Sequence, residues 1–136
     1  MSFILDSSIT LSWCFSDEAT PLTNSLLTKV EKDKAYVPNL WPLEVSNVLV
    51  MAERKKRINY AQIIEFIALL NDLNIEIDHH TSNIAFHEIL SLAHSERLTT
   101  YDAAYLELAM RMGLPLATKD KQLQDIASRS GVVILS

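Results

Sequence analysis

Four acidic residues stand where the chain is expected to pass from one structural element to the next. Asp6 and Asp120 follow the short apolar runs "FIL" and "PLAT", while Glu44 and Asp102 lie in the opening turns of two helical patterns. If these side chains converge, two unit charges about 4 Å apart repel by roughly 4 kcal/mol at an effective dielectric constant near 20. Protonation or a bound cation must then relieve the repulsion. Because the candidate ligands are oxygens and no cysteine cluster is present, Mg²⁺ or Mn²⁺ suits such a site best.

Acids arranged around a divalent ion are suited to phosphodiester hydrolysis. The ion makes a nucleophilic water more acidic and stabilises the departing oxyanion. Asp6, Asp102 and Asp120 are therefore predicted as direct or water-mediated metal ligands. Glu44 is predicted either to ligate the ion or to orient the water, and the sequence does not separate these two roles.

Each of the four acids also has a purely structural interpretation. Asp6 and Asp120 can cap the helices that follow them, and Glu44 and Asp102 can interact with helix dipoles. Per residue, such roles are commoner than catalytic ones. The spacing of the acids alone therefore leaves both interpretations open.

Short apolar runs alternate with helical patterns along the chain. The strand candidates are residues 3–5, 35–37, 75–77, 115–118 and 132–135. Helices are predicted over residues 20–32, 61–73 and 101–112. Two further buried helical faces are predicted, by Val45, Val48, Leu49 and Ala52 and by Phe86, Ile89, Leu90 and Ala93.

This alternation predicts an α/β fold, a three-layer α/β/α sandwich around a mainly parallel sheet of about five strands. Ligand sites in such sheets lie beyond the carboxyl ends of the strands, where helices begin. All four acids are therefore expected to face one edge of the sheet.

Length and composition are those of one globular domain spanning residues 1–136. Nearly half of the residues are hydrophobic, and Cys14 is the only cysteine, which excludes an internal disulfide and a cysteine-rich zinc site. No signal peptide or membrane span is recognisable, so a cytoplasmic protein without a membrane partner is expected. A net charge of −5 argues against general coating of nucleic acid, although it does not exclude an enzyme that acts on nucleic acid.

Four ordered blocks of the sequence carry a family resemblance. The blocks "ILDSSITLSWCFSDE", "VPNLWPLEVSNVL", "LTTYDAAYLELAMRMGLPLAT" and "ATKD" resemble the signature blocks of the PIN domain, and more closely those of VapC-type toxins from toxin–antitoxin pairs. The resemblance extends from Ile4 to about Leu135. It implies a PIN-like fold and a Mg²⁺- or Mn²⁺-dependent endoribonuclease, with the family's acids on Asp6, Glu44, Asp102 and Asp120. It also matches the family's two hydroxyls to Ser8 and Thr118, expected here as hydrogen-bond donors to the ligands.

The resemblance further implies RNA as the substrate, a small VapB-type antitoxin as the partner, and a homodimer. The apolar surplus of "IIEFIALL" (63–70) is typical of a helix buried in a dimer or under an antitoxin peptide. One departure is Leu123, where many relatives carry an aromatic residue.

Two other function classes compete with the nuclease. One is a non-catalytic PIN-like interaction module that binds a partner protein without turnover, since retained residues do not prove turnover. The other is a phosphoacceptor signalling domain, which normally needs an acidic pair after the first strand, where "DSS" supplies a single acid.

For the remaining candidates we favour structural roles. The four histidines (His79, His80, His87 and His94) are expected at the surface, since Ser91 stands where an H-E-x-x-H zinc motif needs its second histidine. Trp13 and Trp41 are expected to pack in the core or an interface rather than to stack on RNA bases. Cys14 is expected as a buried residue within a helix, and "RKKR" (54–57) as a solvated helix end rather than an RNA-contact patch.

Overall fold

The computed structural model describes all residues from 1 to 136. Its strands are β1 (Phe3–Leu5), β2 (Ala35–Pro38), β3 (Ile75–Asp78) and β4 (Leu116–Ala117). Its helices are α1 (Ser7–Ser12), α2 (Pro21–Val30), α3 (Trp41–Arg54), α4 (Tyr60–Asp72), α5 (Thr81–Ile84), α6 (Leu90–Glu96), α7 (Thr100–Met112) and α8 (Lys121–Arg129). A 3₁₀ turn spans Ser16–Glu18, and a π-helical stretch spans Ala85–Ile89.

The strands form one parallel sheet in the order β3-β2-β1-β4, with helices on both faces. The predicted three-layer sandwich is thereby confirmed. The predicted fifth strand at residues 132–135 is wrong, because this segment makes only an isolated bridge between Leu116 and Ile134. Its neighbour β4 is two residues long, which leaves too little strand to extend a ladder.

The central strand β1 explains why its sequence is an unbroken apolar run. Ile4 pairs with Tyr36 on one side and with Leu116 on the other, and all three residues of β1 are fully buried. A parallel strand that is covered on both faces has no solvent side, so it does not alternate between apolar and polar residues. The first polar side chain after this run is that of Asp6, at the carboxyl end of β1.

Helix α7 packs closely on the sheet because its inner face begins with small residues. Ala103 and Ala104 are buried at its first turns, and the helix contacts both β1 and β2. Gly113 ends the helix in the left-handed conformation, with a φ of 65° that favours glycine. The amino-terminal turn of α7 is thereby held against the centre of the sheet.

Two predicted buried faces need correction. On α3, Val45, Leu49 and Ala52 are buried as expected, but Val48 is 38% exposed. After β3, Ile89 is buried whereas Phe86 is 86% exposed, and Leu90 is exposed as well. Phe86 lies within the π-helical stretch, whose wider turn takes its residues out of the 3.6-residue register.

Trp41 packs in the core, as predicted, and Trp13 is partly buried against it. The Trp41 Nε1–H donates a hydrogen bond to Thr10 Oγ1 at 3.0 Å, and the Trp13 Nε1–H donates to the carbonyl of Thr23 at 2.8 Å. Cys14 is not within a helix; it lies in the turn after α1 and is half-buried. The polar ends of both indoles are therefore satisfied inside the protein.

The basic run at the end of α3 is divided between solvent and an ion pair. Arg54 is the last helical residue, and Lys56 follows with a left-handed φ of 59°. Arg57 turns back to Asp17 and Glu18 and lies 3.8 Å from the ring centre of Phe15.

No helix of the protein is both long enough and apolar enough to span a bilayer.

Candidate active site

The four acids lie on four different elements that meet at one edge of the sheet. Asp6 directly follows β1, and Asp120 begins α8 shortly after β4. Glu44 and Asp102 lie in the first turns of α3 and α7. Their charges interact: Asp6 and Asp102 each raise the pKa of Glu44, and Asp120 contributes to the raised pKa of Asp102. We refer to these four residues as the acid cluster.

Asp6 is the most buried member of the acid cluster, with 5% of its surface exposed. Its Oδ2 accepts hydrogen bonds from the hydroxyls of Ser8 at 2.5 Å and Thr118 at 2.7 Å, and from the Ser8 N–H at 3.4 Å. Burial raises the pKa of Asp6, and these donors oppose the rise. The two hydroxyls therefore hold the carboxylate in one orientation.

Glu44 is held by a tyrosine from α7. The Tyr105 hydroxyl, which is buried, donates a hydrogen bond to Glu44 Oε1 at 2.6 Å. Burial raises the pKa of Glu44, the Tyr105 hydroxyl opposes the rise, and the charges of Asp6 and Asp102 add to it. Burial and the neighbouring acids also raise the pKa of Tyr105, so this hydroxyl keeps its proton and remains a donor.

Asp102 has a carboxyl group whose pKa lies well above its usual range. Burial and the charges of Asp6 and Asp120 raise the pKa of Asp102 to about 6, and the Thr99 hydroxyl opposes this rise. Asp102 does not cap its helix, because Thr99 Oγ1 accepts the Asp102 N–H at 3.1 Å. The Asp102 side chain is thus released from capping and lies close to the other acids.

Asp120 is the exposed member of the acid cluster, and Thr118 connects it to Asp6. The Asp120 N–H donates a hydrogen bond to Thr118 Oγ1 at 3.1 Å, and that same hydroxyl donates to Asp6. Asp120 Oδ1 accepts the N–H of Leu123 at 3.0 Å, so Asp120 also caps α8. The capping interpretation is correct for Asp120 and, through the Ser8 N–H, for Asp6, and it does not compete with a place in the acid cluster.

No basic side chain neutralises the acid cluster. Eight ion pairs occur in the protein, and none of them includes Asp6, Glu44, Asp102 or Asp120. No three His, Cys, Asp or Glu side chains stand close enough together to hold a metal ion directly. The cluster is therefore a set of carboxylates without a cationic partner rather than a closed metal cage.

The histidines take no part in this arrangement. All four are exposed, as predicted, on the segment after β3 and on the helical stretch from Ala85 to Glu96.

Two residues beside Glu44 were not among the candidates from the sequence. They are Tyr105 and Ser7. Tyr105 stands three residues after Asp102, a spacing that puts both residues on one face of a helix.

Comparison with known proteins gives a match to a family but none to a curated protein. Residues 3–129 match the family model of the PIN domain. Among curated proteins, no significant match to the chain exists.

Solved structures resemble this chain along nearly its whole length. The protein PAE2754 from Pyrobaculum aerophilum is 22% identical, with a TM-score of 0.69 over 99% of this chain and 92% of its own. A toxin–antitoxin complex from Klebsiella pneumoniae contains a chain that is 20% identical, with a TM-score of 0.66 and 98% of both chains covered. FitAcB from Neisseria gonorrhoeae contains one that is 16% identical, with a TM-score of 0.64 over 100% of this chain and 97% of its own. At these identities the likeness establishes a shared fold.

Proposed function

This chain belongs to the PIN domain family, and from that premise we propose that it is a metal-dependent endoribonuclease and the toxin of a toxin–antitoxin pair. The observation that supports this proposal most directly is the acid cluster itself. Four carboxylates share one edge of the sheet without a basic partner, and the pKa of Asp102 is raised to about 6. Such an arrangement costs folding free energy, which a bound cation would recover.

The donor set fits Mg²⁺ or Mn²⁺. Both ions prefer oxygen ligands, and Mg²⁺ in particular is usually held by one or two carboxylates together with waters and substrate phosphates. This mode agrees with a cluster in which no three acids are close enough for a direct cage. We propose Asp6, Asp102 and Asp120 as direct or water-mediated ligands, with Glu44 as a ligand or as the group that orients a water.

The surrounding residues of the chain would prepare the acids for this task. Ser8 and Thr118 both bind Oδ2 of Asp6, and Oδ1 would be the oxygen that ligates a cation. Tyr105 fixes Oε1 of Glu44 in the same way. When bound, the ion would make a water more acidic and stabilise the charge that develops on the phosphate.

Two features support a protein partner. Solved structures with this fold include toxin–antitoxin complexes, among them the one from Klebsiella pneumoniae. Helix α4 buries Ile63, Phe66 and Leu70 in the core, yet Ile64 and Leu69 on the same helix remain exposed. We propose that a small VapB-type antitoxin or a second copy of the chain, in a homodimer, covers these residues.

The decisive experiment measures RNA cleavage by purified variants with added Mg²⁺ or Mn²⁺. Asp6→Asn and Asp102→Asn are each expected to lower the cleavage rate by about 10³-fold or more, since ligand loss removes about 4 kcal/mol of transition-state stabilisation. Asp125→Asn, on the exposed face of α8, is the matched control and should cleave RNA like the unmodified protein. Circular dichroism should show that all three variants retain the fold.

Two outcomes would contradict this proposal. Full cleavage by both Asp6→Asn and Asp102→Asn would remove the acids from the mechanism. Binding of Mn²⁺ without cleavage of any RNA in a broad pool would instead favour an interaction module without turnover.

A further inference from the structure

A cavity of about 670 Å³ opens beside the acid cluster, between the exposed side of α3 and the start of α7. Glu44 and Ser7 belong to its lining, so the cavity is continuous with the acid cluster. Tyr101, the immediate neighbour of Asp102 in the chain, lines it from α7. Whatever occupies the cavity therefore lies next to the reacting groups of the proposed nuclease.

The lining has the chemistry of a site for a flat, uncharged group. Five of its nine residues are hydrophobic, and none is lysine or arginine. The only charged residue is Glu44, which disfavours a phosphate inside the cavity. Ser46 and Asn47, both exposed on α3, supply hydroxyl and amide groups that donate and accept hydrogen bonds.

One aromatic ring is available at the cavity, and it is Tyr101. Its side chain is 60% exposed in the first turn of α7, and the neighbouring Leu43 of α3 is also exposed. By contrast, Trp41 is buried and its indole N–H is already bound to Thr10, so it offers no free face. An exposed ring beside an apolar wall is the usual platform on which a nucleobase stacks.

We propose that this cavity binds one unpaired base of a single-stranded RNA, stacked on Tyr101 with its polar edge toward Asn47. The proposal rests on the proposed function, because the phosphate next to that base is the one that reaches the acid cluster. Glu44 belongs both to the cavity lining and to the acid cluster, so a base in the cavity lies beside the groups that would bind the adjoining phosphate. A paired base cannot enter, since its faces are stacked within the duplex.

The test measures binding of a fluorescein-labelled, ten-nucleotide single-stranded RNA of mixed sequence by fluorescence anisotropy. An abasic ribose-phosphate oligomer of equal length is the second probe. All proteins carry Asp6→Asn, so that bound RNA is not cleaved. Tyr101→Ala is compared with Tyr101→Phe, and Tyr60→Ala is the matched control because Tyr60 is 64% exposed on α4, outside the cavity. Alanine favours the helix at both positions.

Tyr101→Ala is expected to raise the Kd for RNA roughly tenfold, the effect of losing one base–aromatic stack. Tyr101→Phe and Tyr60→Ala should stay within about twofold of the parent, because a phenyl ring still stacks and Tyr60 lies elsewhere. The abasic oligomer should bind equally to every variant.

Equal RNA binding by Tyr101→Ala and Tyr60→Ala would overturn the proposal and favour a protein partner as the occupant of the cavity. An equal loss of RNA and abasic binding would also overturn it, since Tyr101 would then contact the backbone. The proposal would also be overturned if neither the Asp6→Asn parent nor any of the other variants bound RNA. The proposed nuclease function is tested separately: it fails if the unmodified protein, which keeps Asp6, does not cleave RNA.

Discussion

Two groups of carboxylates in this protein have opposite electrostatic surroundings, although each contains an aspartate at the end of a strand. In the acid cluster, burial and neighbouring acids raise the pKa of Asp102 to about 6. In the second group, which we call the arginine cluster, Asp78 and Glu107 both bind Arg111. The Arg111 guanidinium holds the pKa of Asp78 below its usual range.

This difference separates a group that stabilises the fold from one that strains it. Arg111 donates to both oxygens of Asp78, at 3.2 Å and 2.8 Å, and thereby links α7 to the end of β3. The acid cluster has only hydroxyl and backbone donors, which orient the carboxylates without cancelling their charge. Uncompensated charge in a folded protein is most often found at functional sites.

The largest expected effect is that of metal on the acid cluster. At a Mn²⁺ concentration 100 times the dissociation constant, the unmodified protein should gain about 2.7 kcal/mol in free energy of unfolding. Asp102→Asn should lose this gain, and Glu107→Gln in the arginine cluster should keep it. Urea unfolding with and without Mn²⁺ measures each gain, and equal gains in all three proteins would show that the ion binds elsewhere.

The same ion should bind more weakly in acid. Mn²⁺ competes with the proton on Asp102, whose pKa is about 6, so affinity is lost as the pH falls through that value. Between about pH 7 and about pH 5, the ionised fraction of such a group falls roughly tenfold, and the Mn²⁺ affinity should fall with it. Calorimetric titration at several pH values measures this change, and a constant affinity would exclude Asp102 as a ligand.

Removal of the cation from the arginine cluster should have the next largest effect. Arg111→Met leaves the Asp78 and Glu107 carboxylates, whose side chains are only 12% and 13% exposed, without a counter-charge. We expect about 2 kcal/mol lower free energy of unfolding, below the range for fully buried pairs because Arg111 is partly exposed. Lys34→Met, which breaks an exposed pair with Glu76, is the control and should cost well under about 1 kcal/mol. Equal losses of unfolding free energy in Arg111→Met and Lys34→Met would show that the arginine cluster contributes no more than an exposed ion pair.

The smallest expected effect has the opposite sign. Without metal at about pH 7.5, Asp102→Asn should be more stable than the unmodified protein, by about 1 kcal/mol after allowance for solvent screening. A raised folded pKa means that the native state binds the extra proton, so the contribution of Asp102 to stability is present below the unfolded pKa near 4 and is lost as the pH rises through about 6. The advantage of the variant should therefore vanish near pH 3.5. A less stable variant at pH 7.5 would identify Asp102 as a structural residue.

Sequence patterns predicted the elements of this fold well wherever the signal was local. The apolar run before Asp6, the helical spacing around Leu49, and Gly113 after α7 each correspond to an observed element. The errors lie where neighbours decide the outcome. Phe86 is exposed because a π-helical turn shifts its register, and residues 132–135 form no strand because β4 is short.

The candidate site shows the same division. The positions of Asp6, Glu44, Asp102 and Asp120 at strand and helix ends follow from the sequence, because local periodicity determines where elements begin and end. Residue type and position do not distinguish Asp78 from Asp6, since both are aspartates at the carboxyl end of a short parallel strand.

Only the tertiary structure decides which charges and hydroxyls each carboxylate meets. It brings Arg111 to Asp78, and it brings Tyr105 to Glu44 across 61 residues of chain and Thr118 to Asp6 across 112. The sequence by itself determined where the acids stand along the chain. Packing decided which of them are neutralised, because electrostatic energy depends on distance and burial in space rather than on separation along the chain.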